Sequence, residues 1–70
     1  MPNAVQRVEW TESRDNTVVF VVAEGSVTGE WRFFARETWE AAYSPLLPRP
    51  GYRETATMLA RGGQREVIPS

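Results

Sequence analysis

An unbroken run of six apolar residues at positions 18–23 is the feature that most constrains the fold. Four of the six are valine, and β-branched side chains favour strands because their χ1 freedom is already restricted. A membrane span would need about 20 such residues. A short run without polar alternation is typical of a strand covered on both faces. Residues 17–23 are therefore predicted to form the central strand of a sheet.

Two further strands are predicted beside this one. Residues 5–11 mix β-branched, aromatic and charged side chains at a loose period of two, and residues 30–35 are rich in aromatic side chains. Turn-forming Ser, Asp and Asn occupy positions 13–16, and a glycine-bearing loop at 25–28 separates the second and third strands. Such short links predict a three-stranded antiparallel β-meander in the order 1-2-3.

The pattern then changes to a helical one. Residues 36–43 place Trp39 and Tyr43 four positions apart, which predicts a short helix with one apolar face. A second helix is predicted over residues 53–61, before two glycines that are typical of a helix end. Residues 64–68 are expected to form a C-terminal edge strand or a tail. The expected fold is thus α+β, in one domain that spans all 70 residues.

The turn positions also predict how the strands pair. A loop at 25–28 places Phe20 opposite Phe33, whereas a two-residue turn at 24–25 would place Phe20 opposite Gly29; the first pairing is favoured. A four-residue turn at 13–16 places Trp10 opposite Val19. One sheet face would then carry Val18, Phe20, Val22, Trp31, Phe33 and Ala35.

The opposite face is predicted to be apolar as well, although two short helices can cover only one face. An uncovered patch of a few hundred Å² usually marks an interaction site. The sequence therefore predicts a protein-interaction module that associates with itself as a homo-oligomer. A different protein is the other partner that this patch would suit. Its expected interface residues are Val8, Trp10, Val19, Val21 and Phe34, with Arg32 at the rim.

The composition excludes several chemistries. The chain has no Cys and no His, and all eight basic residues are Arg. Disulfides and nearly all zinc, haem and iron–sulfur sites are thereby removed, together with the common triads and Schiff-base chemistry. We therefore expect no enzymatic activity, no metal and no cofactor. Since no secretory signal or membrane-spanning segment is evident, the expected location is cytoplasmic.

Two alternative functions stay open at this point. A small single-stranded nucleic-acid-binding protein could stack bases on Trp31 and Phe33 and contact phosphates with Arg53 and Arg61. The formal net charge of −1 makes nucleic acid an unfavoured partner, because binders usually carry a basic excess. A further alternative is a small regulator or inhibitor of a larger enzyme.

Overall fold

The fold is α+β. The structure, a computed structural model, describes residues 5–37, 39, 42–62 and 66–67. Four antiparallel strands lie in the spatial order β4-β3-β2-β1, and a short fifth strand pairs in parallel with the outer edge of β1. The apolar run lies in the centre of the sheet, as predicted. The elements are β1 (Gln6–Arg14), β2 (Thr17–Gly25), β3 (Arg32–Glu37), β4 (Ser44–Pro45), α1 (Tyr52–Arg61) and β5 (Glu66–Val67).

A two-residue turn joins β1 to β2. Asp15 and Asn16 both have positive φ, at 50° and 64°, so they adopt the left-handed conformation of the tight turns that match strand twist. The predicted four-residue turn is therefore wrong, and Trp10 pairs with Val21 instead of Val19. Because this slip is of two residues, each side chain of β1 keeps its predicted face.

The pairing of β2 with β3 differs from the prediction by three residues. Phe20 lies opposite Arg36, and Phe33 lies opposite Ala23. An odd slip moves every side chain of β3 to the other face relative to β2. The connection between β2 and β3 is longer than the predicted loop. It passes so close to Gly25 that a Cβ on that residue would lie 2.3 Å from the carbonyl oxygen of Glu30. Only glycine permits this approach.

The predicted helix over residues 36–43 is wrong at the residues that the structure describes. Arg36 belongs to β3, Trp39 lies in a turn, and Ser44 pairs with Ala35 as part of β4. An isolated helix of eight residues is only marginally stable because its nucleation is costly. Pairing with a neighbouring strand satisfies the backbone hydrogen-bonding groups directly. Trp39 is 78% exposed, so it does not pack on the sheet. Residues 38, 40 and 41 lie outside the described part of the chain.

The predictions for the C-terminal part of the chain agree more closely with the structure. The second predicted helix is present as α1, and it begins one residue earlier, at Tyr52. The expected edge strand is present over two residues as β5. The remaining residues of the 64–68 prediction lie outside the described part of the chain.

The core lies between α1 and one face of the sheet. The Tyr52 ring is 5.5 Å from that of Trp10 and 5.3 Å from that of Phe33, and Ala56 and Ala60 allow the helix to approach β1 closely. The buried side chains around them are Val8, Val19, Val21, Ala23 and Trp31.

The prediction that this face stays uncovered is therefore wrong. Val8 and Val21 are fully buried, and Trp10 and Val19 are only 6% and 5% exposed. The odd slip brings Phe33 to this face, where its ring contacts those of Trp10 and Tyr52.

Two tryptophan variants test this arrangement. We expect Trp10→Ala to lower the free energy of unfolding by about 3–5 kcal/mol, because it removes a buried aromatic side chain. The size-matched control Trp39→Ala should change it by less than about 0.5 kcal/mol, since Trp39 is exposed. Urea titration followed by circular dichroism measures both values, and equal losses would contradict the fold.

The turn between β1 and β2 gives a second test. Asn16→Gly should keep or raise stability, whereas Asn16→Val should lower it by about 1–2 kcal/mol, because a β-branched residue is disfavoured at positive φ. Thermal unfolding of the two variants measures the difference. A Val variant as stable as the Gly variant would show that the turn is not left-handed.

Candidate interaction surface

The face of the sheet opposite α1 carries the candidate site, and we call it the open face. No described helix packs across it. Because side chains alternate along a strand, the residues between the core positions of β1, β2 and β3 project there. The open face includes Arg7, Glu9, Val18, Phe20, Val22, Glu24, Arg32, Phe34, Arg36 and, folded against it from the segment before β4, Tyr43.

An aromatic and aliphatic cluster forms the middle of the open face. The rings of Phe20 and Tyr43 lie 5.9 Å apart and are tilted by 45°. Val22 is only 2% exposed, although no described helix covers it, whereas Val18 and Tyr43 remain 44% and 38% exposed. The cluster is thus packed at its centre and open at its margin, where apolar groups remain in contact with water.

Arginine side chains lie over these rings. The guanidinium carbon of Arg36 is 5.1 Å from the ring centre of Phe20 and 5.6 Å from that of Tyr43. Arg7 lies 5.8 Å from the Tyr43 ring, and Arg32 lies 5.9 Å from the Phe34 ring. Such cation–π contacts contribute about 0.5–1 kcal/mol each at exposed sites, and they hold the guanidinium groups in place.

The open face differs in charge from the chain as a whole. Its three arginines and two glutamates leave a net charge of +1, in a chain whose formal charge is −1. Glu9 is paired with Arg7 at 2.9 Å between Oε2 and the guanidinium nitrogen. The remaining charged side chains of the face are Arg32 and Arg36 on β3 and Glu24 on β2.

The predicted interface residues are divided between the two faces. Val8, Trp10, Val19 and Val21 belong to the core, whereas Phe34 and Arg32 lie on the open face. The structure therefore does not bring the six together as one surface.

Sequence reasoning missed other members of the open face. The sequence predicts Phe20 on the helix-covered face, and it places Tyr43 on the apolar side and Arg36 on the charged side of a short helix. It assigns Arg7 to no surface. The alternation of Arg32, Phe34 and Arg36 along β3 was the available signal.

The residues of the nucleic-acid alternative are also separated. Trp31 and Phe33 are only 9% and 7% exposed, and Nε1 of Trp31 donates a hydrogen bond to Oγ1 of Thr57 at 3.2 Å. Their ring faces are thus covered by the core and by α1, which removes the predicted stacking platform. Arg53 and Arg61 are exposed on the outer side of α1.

Glu12 holds the core together at the edge of the helix-covered face. Its Oε1 accepts a hydrogen bond from Nε1 of Trp10 at 3.2 Å, and its Oε2 accepts one from the hydroxyl of Tyr52. Burial, followed by the hydrogen bond to the Glu12 carboxylate, raises the pKa of Tyr52 to about 12. The carboxylate thus satisfies two otherwise buried donors, which is a structural role.

No three acidic side chains among the described residues lie close enough together to hold a metal ion. The one described helix, α1, is too short and too polar to cross a bilayer. Comparison with protein-family models, with curated proteins and with solved structures gave no match.

The Tyr52–Glu12 hydrogen bond predicts a dependence of stability on pH. A phenol whose pKa is raised on folding keeps its proton at pH values where the unfolded chain releases it. The contribution of Tyr52 to the free energy of unfolding is therefore complete below pH 10, and it is lost as the pH rises towards 12. The free energy of unfolding should therefore fall between pH 10 and about 12 in the wild type. Tyr52→Phe should lack this fall, and the control Tyr43→Phe should keep it. Urea titrations at several pH values measure the effect, and an unchanged profile in Tyr52→Phe would contradict it.

Proposed function

We propose that this chain is a non-enzymatic protein-interaction module that contacts its partner through the open face. The carrying observation is the exposed margin of the cluster around Phe20, Phe34 and Tyr43, which presents apolar rings and guanidinium groups on a rigid sheet. Aromatic and Arg side chains are enriched at the centres of protein interfaces. Because sheet pairing fixes the backbone below them, little ordering entropy is lost on binding.

Three of the described carboxylates are engaged by neighbouring side chains, which supports the non-enzymatic part of this proposal. Glu9 is ion-paired with Arg7, and Glu12 is engaged by two hydrogen-bond donors. Asp15 is 93% exposed at a turn. A general base needs a carboxylate that is free to reach a substrate proton, whereas Glu9 and Asp15 are ion-paired with Arg7 and Arg49 and Glu12 accepts two hydrogen bonds. The absence of Cys, His and Lys from the sequence removes thiol and amine nucleophiles and the histidine base that usually activates a serine.

Self-association loses its original basis, because the face predicted to mediate it is the core. A contact between two open faces would also oppose surfaces that each carry a net positive charge, which disfavours pairing. The proposal therefore favours a different protein as the partner. The alternative that the module regulates a larger enzyme is one form of this proposal. It stays a prediction, as does the cytoplasmic location.

Photo-crosslinking in the source cells tests the proposal. A photoreactive phenylalanine analogue is placed at Val18 on the open face or, as a matched control, at Met58 on the outer side of α1; both positions are exposed, at 44% and 62%. We expect Val18 to give a specific crosslinked adduct and Met58 to give none. The added mass, measured by mass spectrometry, identifies the partner.

Two results would contradict the proposal. Adducts from Met58 alone would place the contact on the helix, and no adduct from either position would remove the open face as an interaction surface. A far-ultraviolet spectrum like that of the wild type verifies that each labelled variant folds.

A further inference from the structure

We infer that a cleft at the end of the sheet beside the β1–β2 turn binds a free α-amino acid with an aliphatic side chain. The cleft lies on the helix side of the sheet, so this inference goes beyond the proposed function, which uses the open face. The juxtaposition that carries it is a cation and a carboxylate, Arg14 and Glu37, on either side of an aliphatic floor at Val19.

The direction of α1 leaves this end of the sheet without a helix over it. The helix begins with Tyr52 against Trp10, and its last turn lies near the start of β1, where Nε2 of Gln6 donates a hydrogen bond to the carbonyl oxygen of Ala60. The cleft is at the opposite end, next to Asp15, and its volume is about 420 Å³. Small-molecule sites typically have volumes of roughly 300–1,000 Å³, so the cleft is large enough for an amino acid.

The floor of the cleft is aliphatic. Val19 is a core residue that is only 5% exposed, and Ala35 and Leu46 are partly buried against the same core. The backbone amide of Leu46 donates a hydrogen bond to the carbonyl oxygen of Phe33 at 3.0 Å, which fixes this part of the floor. A ligand whose aliphatic group covers the exposed part of Ala35 and Leu46 removes apolar surface from water.

The two charged side chains face the floor from opposite strands. Arg14 pairs with Thr17 and Glu37 pairs with Val19, so both side chains project to the helix side. Strand spacing and rise place their Cα atoms roughly 12 Å apart. Within the described part of the chain, neither residue forms an ion pair. An α-amino acid carries its carboxylate and its ammonium group on one carbon, so it can accept hydrogen bonds from the guanidinium group and donate one to the carboxylate.

The remaining charges of the cleft favour a ligand without net charge. Asp15 and Arg36 also line it, so the four charged side chains sum to zero. The carboxylate of Asp15 is 3.8 Å from Arg49 and the side chain is 93% exposed, so water screens its repulsion of a ligand carboxylate. Arg36 lies over two rings of the open face, and the inference gives it no role. A zwitterion therefore matches the cleft better than an anion or a cation does.

A series of related ligands tests the inference. The probes are L-leucine, N-acetyl-L-leucine without the ammonium group, L-leucinamide without the carboxylate, and glycine without the aliphatic side chain. Binding is followed near neutral pH by two-dimensional ¹⁵N NMR of the full chain. We expect saturable shifts at residues 14–19, 35–37 and 44–46 with leucine. Each of the other three ligands should bind about fivefold more weakly, because each lacks one of the three contacts.

Variants of the two charged residues assign each contact. Arg14→Gln should weaken the binding of leucine about fivefold and leave that of leucinamide unchanged, since leucinamide has no carboxylate to lose. Glu37→Gln should weaken leucine to a similar extent and leave N-acetyl-leucine unchanged. The matched controls Arg53→Gln and Glu54→Gln, on the outer side of α1, should bind leucine as the wild type does. The NMR spectrum itself reports whether each variant is folded.

Several results would overturn the inference. These are equal binding of all four ligands, equal weakening by the control variants, and no shift at the cleft up to the solubility limit of leucine. Tighter binding of N-acetyl-leucine than of leucine would assign the cleft to anions, and tighter binding of leucinamide would assign it to cations. A crosslinked partner obtained through Val18 reports on the open face alone, so the failure of this inference and the failure of the proposed function are distinguishable.

Discussion

The register between β2 and β3 is the constraint on which the rest of this structure depends. The absence of a side chain at Gly25 lets the backbone at Glu30 pass against it, and the longer loop that results shifts the pairing by an odd number of residues. Phe33 is thereby placed beside Ala23 on the helix side, and Phe34 beside Val22 on the other. A Cβ at position 25 would collide with the carbonyl oxygen of Glu30, so a larger residue there would have to displace the loop.

Once that register is set, one ten-residue helix is enough to close the core. Tyr52 inserts between Trp10 and Phe33, and its hydroxyl reaches the Glu12 carboxylate. The same carboxylate accepts the Trp10 indole proton. Two aromatic side chains with polar ends are therefore buried with their hydrogen-bond donors satisfied. An unsatisfied buried donor would be costly in a chain of this length, because its core is small.

The other face is covered in a different way. Arginine side chains lie over Phe20, Phe34 and Tyr43, where a second helix was expected. Their aliphatic stems can shield apolar surface while the guanidinium groups stay in water. The guanidinium groups keep the open face hydrated. They also give that face a net charge opposite in sign to that of the whole chain. The proposed interaction uses the same arginine–ring contacts that shield the apolar surface.

The sequence by itself determined the α+β class, the central apolar strand, a turn that includes Asp15 and Asn16, and a helix over residues 53–61, because each depends on local propensity and periodicity. Only the tertiary structure decided which residues form the core and which form the surface. The two faces of β2 are almost equally apolar, so its pattern cannot indicate which one the helix covers. The loop geometry around Gly25 made that choice, through a contact between backbone atoms that side-chain patterns do not encode.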